Sequence, residues 1–596
     1  MKYPGADRLI AMVAKIRVLT RQKTRQLAVR RQFEHMVRLA EQVRHANLPA
    51  ETTEILISVV TPVFNTPAAY LDDLLNSISA QNFINAELVL CDDGSTDPGT
   101  LAWLKAKSNL PHVTIRRTAD NQGIAAATNA GIHAAKGVWV ALVDHDDALA
   151  PEALAVIART LEDHPECMFL YTDEVIADGR MRPTDFFLKP AYDPVLLSGV
   201  NYINHLSIYK RDRLIALGGM REGFQGSQDY DLLLRYLREL KAADIMHVAY
   251  PAYMWRRDGK SFSSLNKAKA ISAARRALTE RYKSGESFIT VDDAVHEDLH
   301  RVQFGAPGPK SVWPMISVII PNRDSYALIS RLLADLRSKT DYPDFEVIIP
   351  DNGSTDDKVL QLYQSMADAP FRFRVEIEPG AFNFSKSINS AAQLAEGEAF
   401  LLLNNDIEIE DASWLKEMVS CLNYPDVGIV GAMLLYPDRT IQHAGVIAGL
   451  GDLAGHWYIG RDEFFPGPMG RLWVRQSLTV VTGACMLITR DCFKIVGTFD
   501  ETTFPVAYND VDYCLRATKL DIRIVWTPFA KLIHHESASR GSDETPENIA
   551  RFTRDKANLQ MRHATRHYQD RAFNPWLSRH HSEPTPVQLE ELPPAR

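Results

Sequence analysis

The sequence lacks several features that would place the protein in a specialised class. Its six cysteines are scattered and form no CxxC pair, which predicts buried free thiols in a reducing compartment. No early stretch has the pattern of a signal peptide, and no apolar run approaches the ~18 residues needed to cross a bilayer. These absences predict a cytoplasmic protein.

Length and composition describe an ordinary globular chain. Its 596 residues exceed what one hydrophobic core needs and suit two domains with additional segments. Hydrophobic residues make up 46% and charged residues 24%. The net charge of −9 argues against a polyanion binder, and no recognition motif accompanies the basic residues, so we expect no nucleic-acid partner.

The first fifty residues differ from the rest because they are strongly basic and predicted to be helical. Ile10, Val13 and Ile16 lie among the charges. Two interpretations stay open. One is attachment to an anionic membrane surface, and the other is a solvated helix that packs on a domain or forms a dimer contact.

The chain contains an internal repeat. Three motifs occur twice in the same order: Ile57–Asn65 and Ile316–Asp324, Leu90–Asp97 and Ile349–Asp356, and Val143–Asp147 and Leu403–Ile407. The first two pairs have the same offset along the chain, and the third differs by one residue. A repeat this long indicates a duplicated domain rather than a solenoid.

Each copy begins with an apolar, β-branched run, continues into a helical stretch, and returns to an apolar run that ends at an acidic turn. Short apolar runs that alternate with helices predict an α/β fold with a mostly parallel sheet covered by helices on both faces. Ligands of such sheets bind beyond the carboxyl ends of the strands, where the acidic turns lie.

The predicted organisation has five parts. They are a basic helical segment (1–50), a first domain (51–300), a linker (301–314), a second domain (315–545), and a C-terminal helix with a loose tail (546–596).

The residues of the first copy suggest a reaction on a phosphorylated substrate. Asp144, Asp146 and Asp147 follow a buried apolar run, and clustered carboxylates repel one another unless a cation lies between them. Oxygen ligands of this kind suit Mg²⁺ or Mn²⁺. Asp229 opens a helical stretch, where it is either a cap or a general base that takes a proton from a hydroxyl.

In this order, the motifs of the first copy resemble the family-two glycosyltransferases of the GT-A fold. The matching segments are Thr61–Asn65, Cys91–Asp97, Asn121–Asn129, Asp144–Asp147 and Gln228–Leu232. The resemblance implies a nucleotide-diphospho-sugar donor, metal binding by Asp146, and direct displacement with Asp229 as the base, which inverts the anomeric carbon. The chain departs from the family at Thr128, where Arg is usual, and at Met254 and Asp258, near which relatives often carry His.

The second copy resembles the rhamnosyltransferase-like members of the same family. The segments that carry this likeness are Phe382–Asn389, Thr482–Cys485, Tyr508–Arg516 and Leu532–Ser537. By that resemblance Asp510 is the base, Asp406 holds the metal, and His534 or His535 is an additional ligand of the metal or the diphosphate. His443 and His456 either line an acceptor cleft or have a structural role.

The resemblance therefore implies three groups of site residues. The catalytic residues are Asp229 and Asp510, and the metal ligands are Asp146, Asp147, Asp406, His535 and His534. The nucleotide-sugar-binding residues are Pro62, Asn65, Asp92, Asp93, Asn121, Gly123, Asn129, Asp144, Pro321, Asp351, Asn352, Asn383, Asn389 and Asn404.

The expected function is that of a bifunctional, inverting, metal-dependent hexosyltransferase that uses Mg²⁺ or Mn²⁺. The resemblance implies nucleotide-diphospho-sugar donors and a growing, lipid-linked surface polysaccharide, such as O-antigen or capsule, as the acceptor. Peripheral contact with the inner face of the cell membrane would follow from the basic N-terminus. The alternative is that one copy catalyses while the other is a degenerate glycan-binding or scaffolding module.

Overall fold

The computed structural model describes residues 23–42, 56–81, 83–257, 267–283, 289–308, 312–536 and 546–587. The chain divides into two compact units. The first comprises Met1–Tyr192, Ile203–Arg281 and Val587–Arg596, and the second comprises Asp193–Tyr202 and Tyr282–Pro586.

The first unit is built on a nine-stranded mixed sheet. Its strands are β1 (Ile57–Val63), β2 (Ala86–Asp92), β3 (Val113–Arg117), β4 (Trp139–Leu142), β5 (Ala148–Leu149), β6 (Phe169–Ala177), β7 (Pro183–Phe187), β8 (Ser207–Lys210) and β9 (Ile245–Arg256). The order is β3-β2-β1-β4-β8-β6-β9-β5, with β7 paired to β6. All residues of β1 and β2 are buried, as expected for parallel strands covered on both faces.

Helices of the first unit connect these strands. They are residues 23–42, Ala68–Ser79, Pro98–Lys107, Ile124–Ala134, Ala153–Asp163, Arg211–Ala216, Gln228–Tyr236 and Lys267–Tyr282, with a 3₁₀ turn at Ala242–Asp244. Asp97 shows how such helices start, because its carboxylate accepts a hydrogen bond from the backbone N–H of Thr100 and Pro98 follows at the first helical position.

The second unit contains a ten-stranded sheet and two small two-stranded sheets. Its strands are β10 (Ile289–Asp293), β11 (His300–Phe304), β12 (Ile316–Ile319), β13 (Phe345–Asp351), β14 (Arg372–Ile377), β15 (Ala399–Leu403), β16 (Ile407–Ile409), β17 (Val427–Leu435), β18 (Ile441–His443), β19 (Val446–Ala448), β20 (Ala454–His456), β21 (Gln476–Leu478), β22 (Cys485–Thr489) and β23 (Arg523–His534).

The helices of the second unit lie between these strands and after β23. They are Pro194–Leu197, Tyr326–Ser338, Asp357–Ser365, Phe384–Leu394, Trp414–Ser420, Arg490–Val496, Asn509–Thr518 and Pro546–His563, with 3₁₀ turns at Met366–Asp368, Cys421–Asn423, Leu450–Asp452, Pro468–Trp473 and Thr565–His567.

The two large sheets have the same topology. The second has the order β14-β13-β12-β15-β22-β17-β23-β16, with β18 paired to β17 and β21 to β23. In both sheets the fourth strand pairs antiparallel with the fifth, and the sixth pairs parallel with the seventh. A duplicated α/β fold is thus confirmed.

The basic N-terminal segment is described only from residue 23. Its helix buries Val29, Phe33 and Met36, and Arg25 forms an ion pair of 2.6 Å with Asp185. This part of the segment therefore packs within the first unit. Ile10, Val13 and Ile16 lie outside the described residues.

The C-terminal segment is ordered as far as residue 587. After the helix Pro546–His563, the side chains of Asp570, Phe573 and Asn574 are buried in the second unit. Asp570 accepts hydrogen bonds from the Thr479 hydroxyl and the Ala448 backbone N–H. Because these contacts fix the backbone, residues 564–587 do not form a loose tail, and residues 588–596 lie outside the described part.

All six cysteines are free and buried. Burial raises the pKa of each thiol, to about 12 in Cys91, Cys421 and Cys492. Among the described residues, no helix combines the length and the apolar character that a membrane span requires.

Candidate active site

The first copy gathers three carboxylates at the end of β4. Asp144, Asp146 and Asp147 each place an oxygen within 4.8 Å of the others. Burial and the charge of Asp144 raise the pKa of Asp147 to about 8, and burial also raises the pKa of Asp146. A divalent cation would remove this repulsion, so the cluster has the ligand chemistry of a Mg²⁺ or Mn²⁺ site.

The end of β9 holds this cluster in place. The Tyr253 hydroxyl donates to one Asp147 oxygen at 2.6 Å, and the Arg256 backbone N–H donates to the other at 2.7 Å. The Arg256 guanidinium also donates to the Asp146 carbonyl oxygen at 2.6 Å and to the Asp73 carboxylate at 2.8 Å. The buried guanidinium of Arg256 thus lies next to the acidic cluster.

His205 joins this site although no sequence motif includes it. Its Nε2 lies 3.4 Å from Asp144 Oδ2, and its Nδ1 lies 3.7 Å from Glu174 Oε2. Its ring stacks on Tyr253 with the centroids 4.6 Å apart. Burial alone would lower the pKa of His205, but hydrogen bonds to Asp144 and Glu174 outweigh it and raise the pKa well above its ordinary value.

A buried ion pair between Lys189 and Glu174 lies next to His205. Lys189 Nζ lies 2.7 Å from Glu174 Oε1, and both side chains are almost completely buried. Lys189 also donates to the carbonyl oxygens of Ile203 and His205. Sequence reasoning missed these residues because they come from separate segments and form no local pattern.

Asp229 begins the helix Gln228–Tyr236 and lies close to the acidic cluster. Burial raises the pKa of its carboxyl, with a further contribution from the charge of Asp144 and an opposing one from His205. Two residues later, buried Asp231 pairs with Arg221 and with Arg235, the latter at 2.9 Å. The start of the helix is therefore anchored while Asp229 stays partly exposed.

The predicted donor-binding residues of the first copy shape the loops beside β1 and β2. Asp93 accepts hydrogen bonds from the backbone N–H groups of Gln122 and Gly123, both at 2.8 Å. Asp92 accepts from the Ser95 N–H at 3.1 Å and lies 3.2 Å from Arg117 Nε. The carboxylates thus orient two loops at one edge of the sheet.

The remaining candidates of this group lie along the same edge. Asn65 lies just after β1, which contains Pro62, and accepts from the Thr96 and Asp97 N–H groups at 2.8 Å. Asn129 exchanges two hydrogen bonds of 2.8 Å with the backbone of Met220. Asn121 is exposed, and Gly123 has the positive φ of 93° that permits the turn into the helix at Ile124.

Two of the three residues at which the chain departs from the family pattern lie in the described part of the structure. The Thr128 hydroxyl donates to the Ile124 carbonyl within its own helix, and Met254 pairs with Ala148 in the sheet. Asp258 lies outside the described residues. Ala148 pairs with Met254 and the equivalent Glu408 pairs with Ile533, so Arg256 of the first copy corresponds to His535 of the second, and Trp255 corresponds to His534.

The second copy encloses a cavity of about 300 Å³ at the corresponding edge of its sheet. Asn404, Asp406, Asp510 and His534 line it together. His534 Nε2 lies 3.1 Å from Asp406 Oδ1. Asp406, His534 and Asn404 offer one carboxylate, one imidazole and one amide, a set that fits a divalent cation with fewer charged ligands than the first copy offers.

The structure separates the two neighbouring histidines. His534 Nδ1 contacts Gln442 Oε1 at 2.9 Å, which leaves Nε2 toward Asp406. His535 turns away, and its Nε2 lies 2.8 Å from Glu408 Oε2. His534 is thus placed with the cavity residues, and His535 is not among them.

Asp510 begins the helix Asn509–Thr518, as Asp229 does in the first copy. The backbone N–H groups of Gly483 and Val511 donate to its two oxygens at 2.9 and 2.8 Å. Asp510 remains partly exposed toward the cavity. The hydrogen bonds fix its orientation and leave lone pairs for a ligand.

Asp351 and Asn352 have mainly structural contacts. Asp351 accepts from the Ser354 N–H and the Tyr363 hydroxyl, both at 2.6 Å. Asn352 donates to the Gly380 carbonyl at 3.2 Å. They shape the loop next to Pro321, as Asp92 and Asp93 shape that of the first copy.

Asn383 and Asn389 tie their helix to the loop that precedes Asp510. Asn383 caps the helix Phe384–Leu394 by accepting from the Lys386 N–H at 2.9 Å. Asn389 exchanges hydrogen bonds with the Phe499 backbone and donates to Glu501. The pattern repeats that of Asn129 and Met220.

His443 and His456 form a pair at the side of the cavity. Their Nδ1 atoms lie 3.2 Å apart, and the Thr482 backbone N–H points at His443 Nε2 at 3.4 Å. His443 is fully buried, whereas His456 lines the cavity. Burial lowers the pKa of both imidazoles, so the pair is neutral near pH 7.

Comparisons with known proteins agree with this geometry. The family model described as Glycosyl transferase family 2 matches residues 58–216 and 317–496. The chain is 39% identical to the uncharacterized protein y4gI of Sinorhizobium fredii and 38% identical to the O-antigen biosynthesis protein RfbC of Myxococcus xanthus, over 88% of its length in each case. It spans only 58% and 39% of these two relatives.

A solved structure with detectable likeness is that of S. aureus TarS 1-349 in complex with UDP-GlcNAc. It is 21% identical, and the match covers 39% of this chain and 67% of the other with a TM-score of 0.32. A score this low supports no argument about the present chain.

Proposed function

The chain belongs to glycosyl transferase family 2, and from this we propose that both copies catalyse inverting sugar transfer from nucleotide-diphospho-sugar donors. The observation that carries the proposal is the cavity of the second copy, which collects Asp510, Asp406 and His534. In the first copy, Asp229 lies within electrostatic range of Asp144 and His205. Each copy therefore offers a partly exposed carboxylate beside a group of candidate ligands.

The reaction assigns one role to each helix-start carboxylate. Asp229 or Asp510 accepts the proton of the acceptor hydroxyl, and the acceptor oxygen forms a bond to the anomeric carbon. The bond from that carbon to the phosphate oxygen breaks, and its electron pair leaves with the nucleoside diphosphate. Because bond formation occurs on the face opposite the leaving group, the configuration inverts.

The residues of both copies fit a divalent cation, for which we propose Mg²⁺ or Mn²⁺. Asp146 and Asp147 would hold it in the first copy, and Asp406 with His534 in the second. When bound, the ion supplies positive charge that stabilises the departing diphosphate. Burial raises the pKa of Asp146 and Asp147, so their ionised forms are unfavourable there, and a bound cation would offset this free-energy cost.

We propose a growing, lipid-linked surface polysaccharide as the acceptor. The O-antigen biosynthesis relative supports a role in polysaccharide synthesis. The reaction would take place in the cytoplasm, where the basic N-terminal segment would add peripheral contact with the inner face of the membrane.

A second candidate function is that one copy binds glycan without catalysing. The amides Asn404 and Asn405 favour it for the second copy, because they contribute no charge where the first copy has Asp144 and His145. The first copy instead ends β9 with Arg256 rather than histidine.

The deciding experiment measures nucleotide release from a panel of UDP-, GDP- and dTDP-sugars with Mn²⁺, with Mg²⁺, and with chelator. The wild type is compared with Asp229→Asn and Asp510→Asn. We expect each substitution to abolish the use of a different donor and chelator to suppress both. If one substitution leaves every donor unaffected, that copy is a binding module and the two-site proposal fails.

A further inference from the structure

Two walls of the second cavity come from segments outside the strands that the copies share. Residues 436–484, between β17 and β22, form a longer segment than residues 178–206, between β6 and β8, and the additional strands β19 and β20 within it contribute Val446 and His456. The helix Pro546–His563 contributes Phe552. Because the candidate base and metal ligands lie on shared elements, selectivity for a ligand would reside in these two walls.

Phe552 is unusual because it lines a polar cavity while 51% of its surface is exposed. Its ring lies 5.2 Å from that of Tyr508 at an angle of 40°. Tyr508 immediately precedes the helix of Asp510 and also lines the cavity. Two aromatic rings therefore form an open apolar rim close to the candidate base.

The helix of Phe552 is anchored at its C-terminal end to the helix of Asp510. Arg562 lies 2.8 Å from Asp500 and 3.1 Å from Asp512, and His563 Nε2 lies 2.8 Å from Asp512. Asp512 belongs to the same helix as Asp510. The helix that carries Phe552 is thus fixed to the helix that carries the base, which sets the position of the ring relative to the reacting hydroxyl.

The charged residues that line the cavity indicate which ligand would contact the two aromatic rings. The carboxylates of Asp510 and Glu536 line the cavity together with the imidazole of His456. An acidic ligand would be repelled there. A ligand with an apolar face, several hydroxyls and no charge would satisfy both the rings and the polar walls.

We propose that this part of the second cavity is an acceptor subsite for a neutral pyranose, whose C–H face stacks on Phe552 and Tyr508 while a hydroxyl faces Asp510. The proposal rests on the function proposed above and names the substrate class of its second site. Phe552 is then a specificity-determining residue, and Asp510 remains the base.

The test uses the full chain and ligand-observed NMR with four probes. They are methyl α-D-mannopyranoside, methyl β-D-galactopyranoside, methyl α-L-rhamnopyranoside and the acidic methyl α-D-glucuronide. We expect at least one neutral glycoside to bind the wild type and Phe552→Tyr, and to bind Phe552→Ala about five- to tenfold more weakly. The glucuronide should bind more weakly than the neutral probes.

The matched control is Met561→Ala, on the same helix, because Met561 is 81% exposed and does not line the cavity. It should leave glycoside binding unchanged. The subsite is disproved if no neutral glycoside binds the wild type, or if Phe552→Ala binds as well as the wild type. It is also disproved if Phe552→Ala instead loses affinity for phosphatidylglycerol vesicles while glycoside binding is unchanged.

Failure of the subsite can be distinguished from failure of the proposed reaction. Nucleotide release measured without acceptor should be unchanged in Met561→Ala and lost in Asp510→Asn. If Asp510→Asn changes nothing while glycosides still require Phe552, the subsite stands and the second copy is a glycan-binding module.

Discussion

The two copies share one sheet topology but distribute charge differently around its edge. The first has three clustered carboxylates, with His205, Arg256 and the Lys189–Glu174 pair behind them. The second has Asp406, His534 and two asparagines. At the position of Glu174 the second copy has buried Leu434, because Glu174 pairs with Tyr253 opposite Leu149 and Leu434 pairs with Leu532 opposite the equivalent Ile409.

This difference shows how an acidic site depends on its scaffold. Concentrating carboxylates at a strand end requires cations in the surrounding core, because buried charges are stable only when paired. Where the strand end carries a single carboxylate, as at Asp406, apolar residues can replace that layer of buried charge. The predictions below test whether the buried charges and the site chemistry of each copy depend on each other in this way.

The largest effect is expected at Lys189. Lys189→Met leaves the buried Glu174 carboxylate without its cation, and we expect unfolding of the first unit to become easier by about 3–5 kcal/mol. Urea denaturation followed by peptide-resolved hydrogen exchange would measure it. The double variant Glu174→Leu/Lys189→Met, which imitates Leu434, should recover most of the loss. Equal stability of the single variant and the wild type would show that the buried Glu174 carboxylate does not need the Lys189 cation.

The second effect is the loss of stability of the second unit at low pH. In the second unit, burial raises the pKa of Glu417, but the charges of Arg475 and Arg301 outweigh this and lower it to about 2, below the ordinary value of 4.5. Its contribution is therefore present above pH 4.5 and is lost as the pH falls toward 2. We expect a loss of about 3 kcal/mol in the free energy of unfolding of that unit over this range.

Glu417→Gln provides the control for this acid effect, because it should remove most of the pH dependence. Asp147 in the first unit acts in the opposite sense, since its folded pKa is raised to about 8 and its protonation favours folding as the pH falls. Unfolding curves would be measured at several pH values. If the second unit is no more sensitive to acid than the first, Glu417 does not have this role.

The third effect is expected when the imidazole that lies beside Asp406 is replaced. His534→Arg places a guanidinium beside Asp406, where it would pair with the carboxylate and exclude a metal ion. We expect about a 100-fold loss of transfer by the second copy, with little change in the first. His535→Arg is the matched control, because its side chain contacts Glu408 instead. Mn²⁺ titration of donor turnover would show the difference, and equal losses in both variants would be evidence against it.

The smallest effect tests where the copies are alike. Asn129 and Asn389 each bind the backbone of the loop that precedes the candidate base. Alanine at either position should cost about 1–2 kcal/mol, somewhat more at Asn389, which is fully buried and also contacts Glu501. Thermal unfolding and donor turnover would be compared for the two variants. A large effect at only one position would show that the loops are held differently.

The repeated motifs allowed the fold to be predicted because β1 and β12 are continuous apolar runs, which indicate buried parallel strands. The choice between His534 and His535 could not be made, since neighbouring residues of a strand face opposite sides. Only the pairing of Ile407 with His534 determines which one faces Asp406.

The buried network of the first copy was beyond sequence reasoning. Glu174, Lys189 and His205 come from β6, from the segment after β7, and from the segment before β8, with no shared motif. Packing alone brings them together. Phe552 was missed for a related reason, because a helix at the end of the chain carries no mark of the cavity that it borders.

The buried state of all six cysteines has a practical consequence for labelling. Thiol reagents attack the thiolate, and thiols whose pKa values are about 12 are almost entirely protonated at neutral pH. A cysteine introduced at Met561 would therefore react with a maleimide dye ahead of the native thiols. A single fluorophore could then report on the helix of Phe552 without removing any native cysteine.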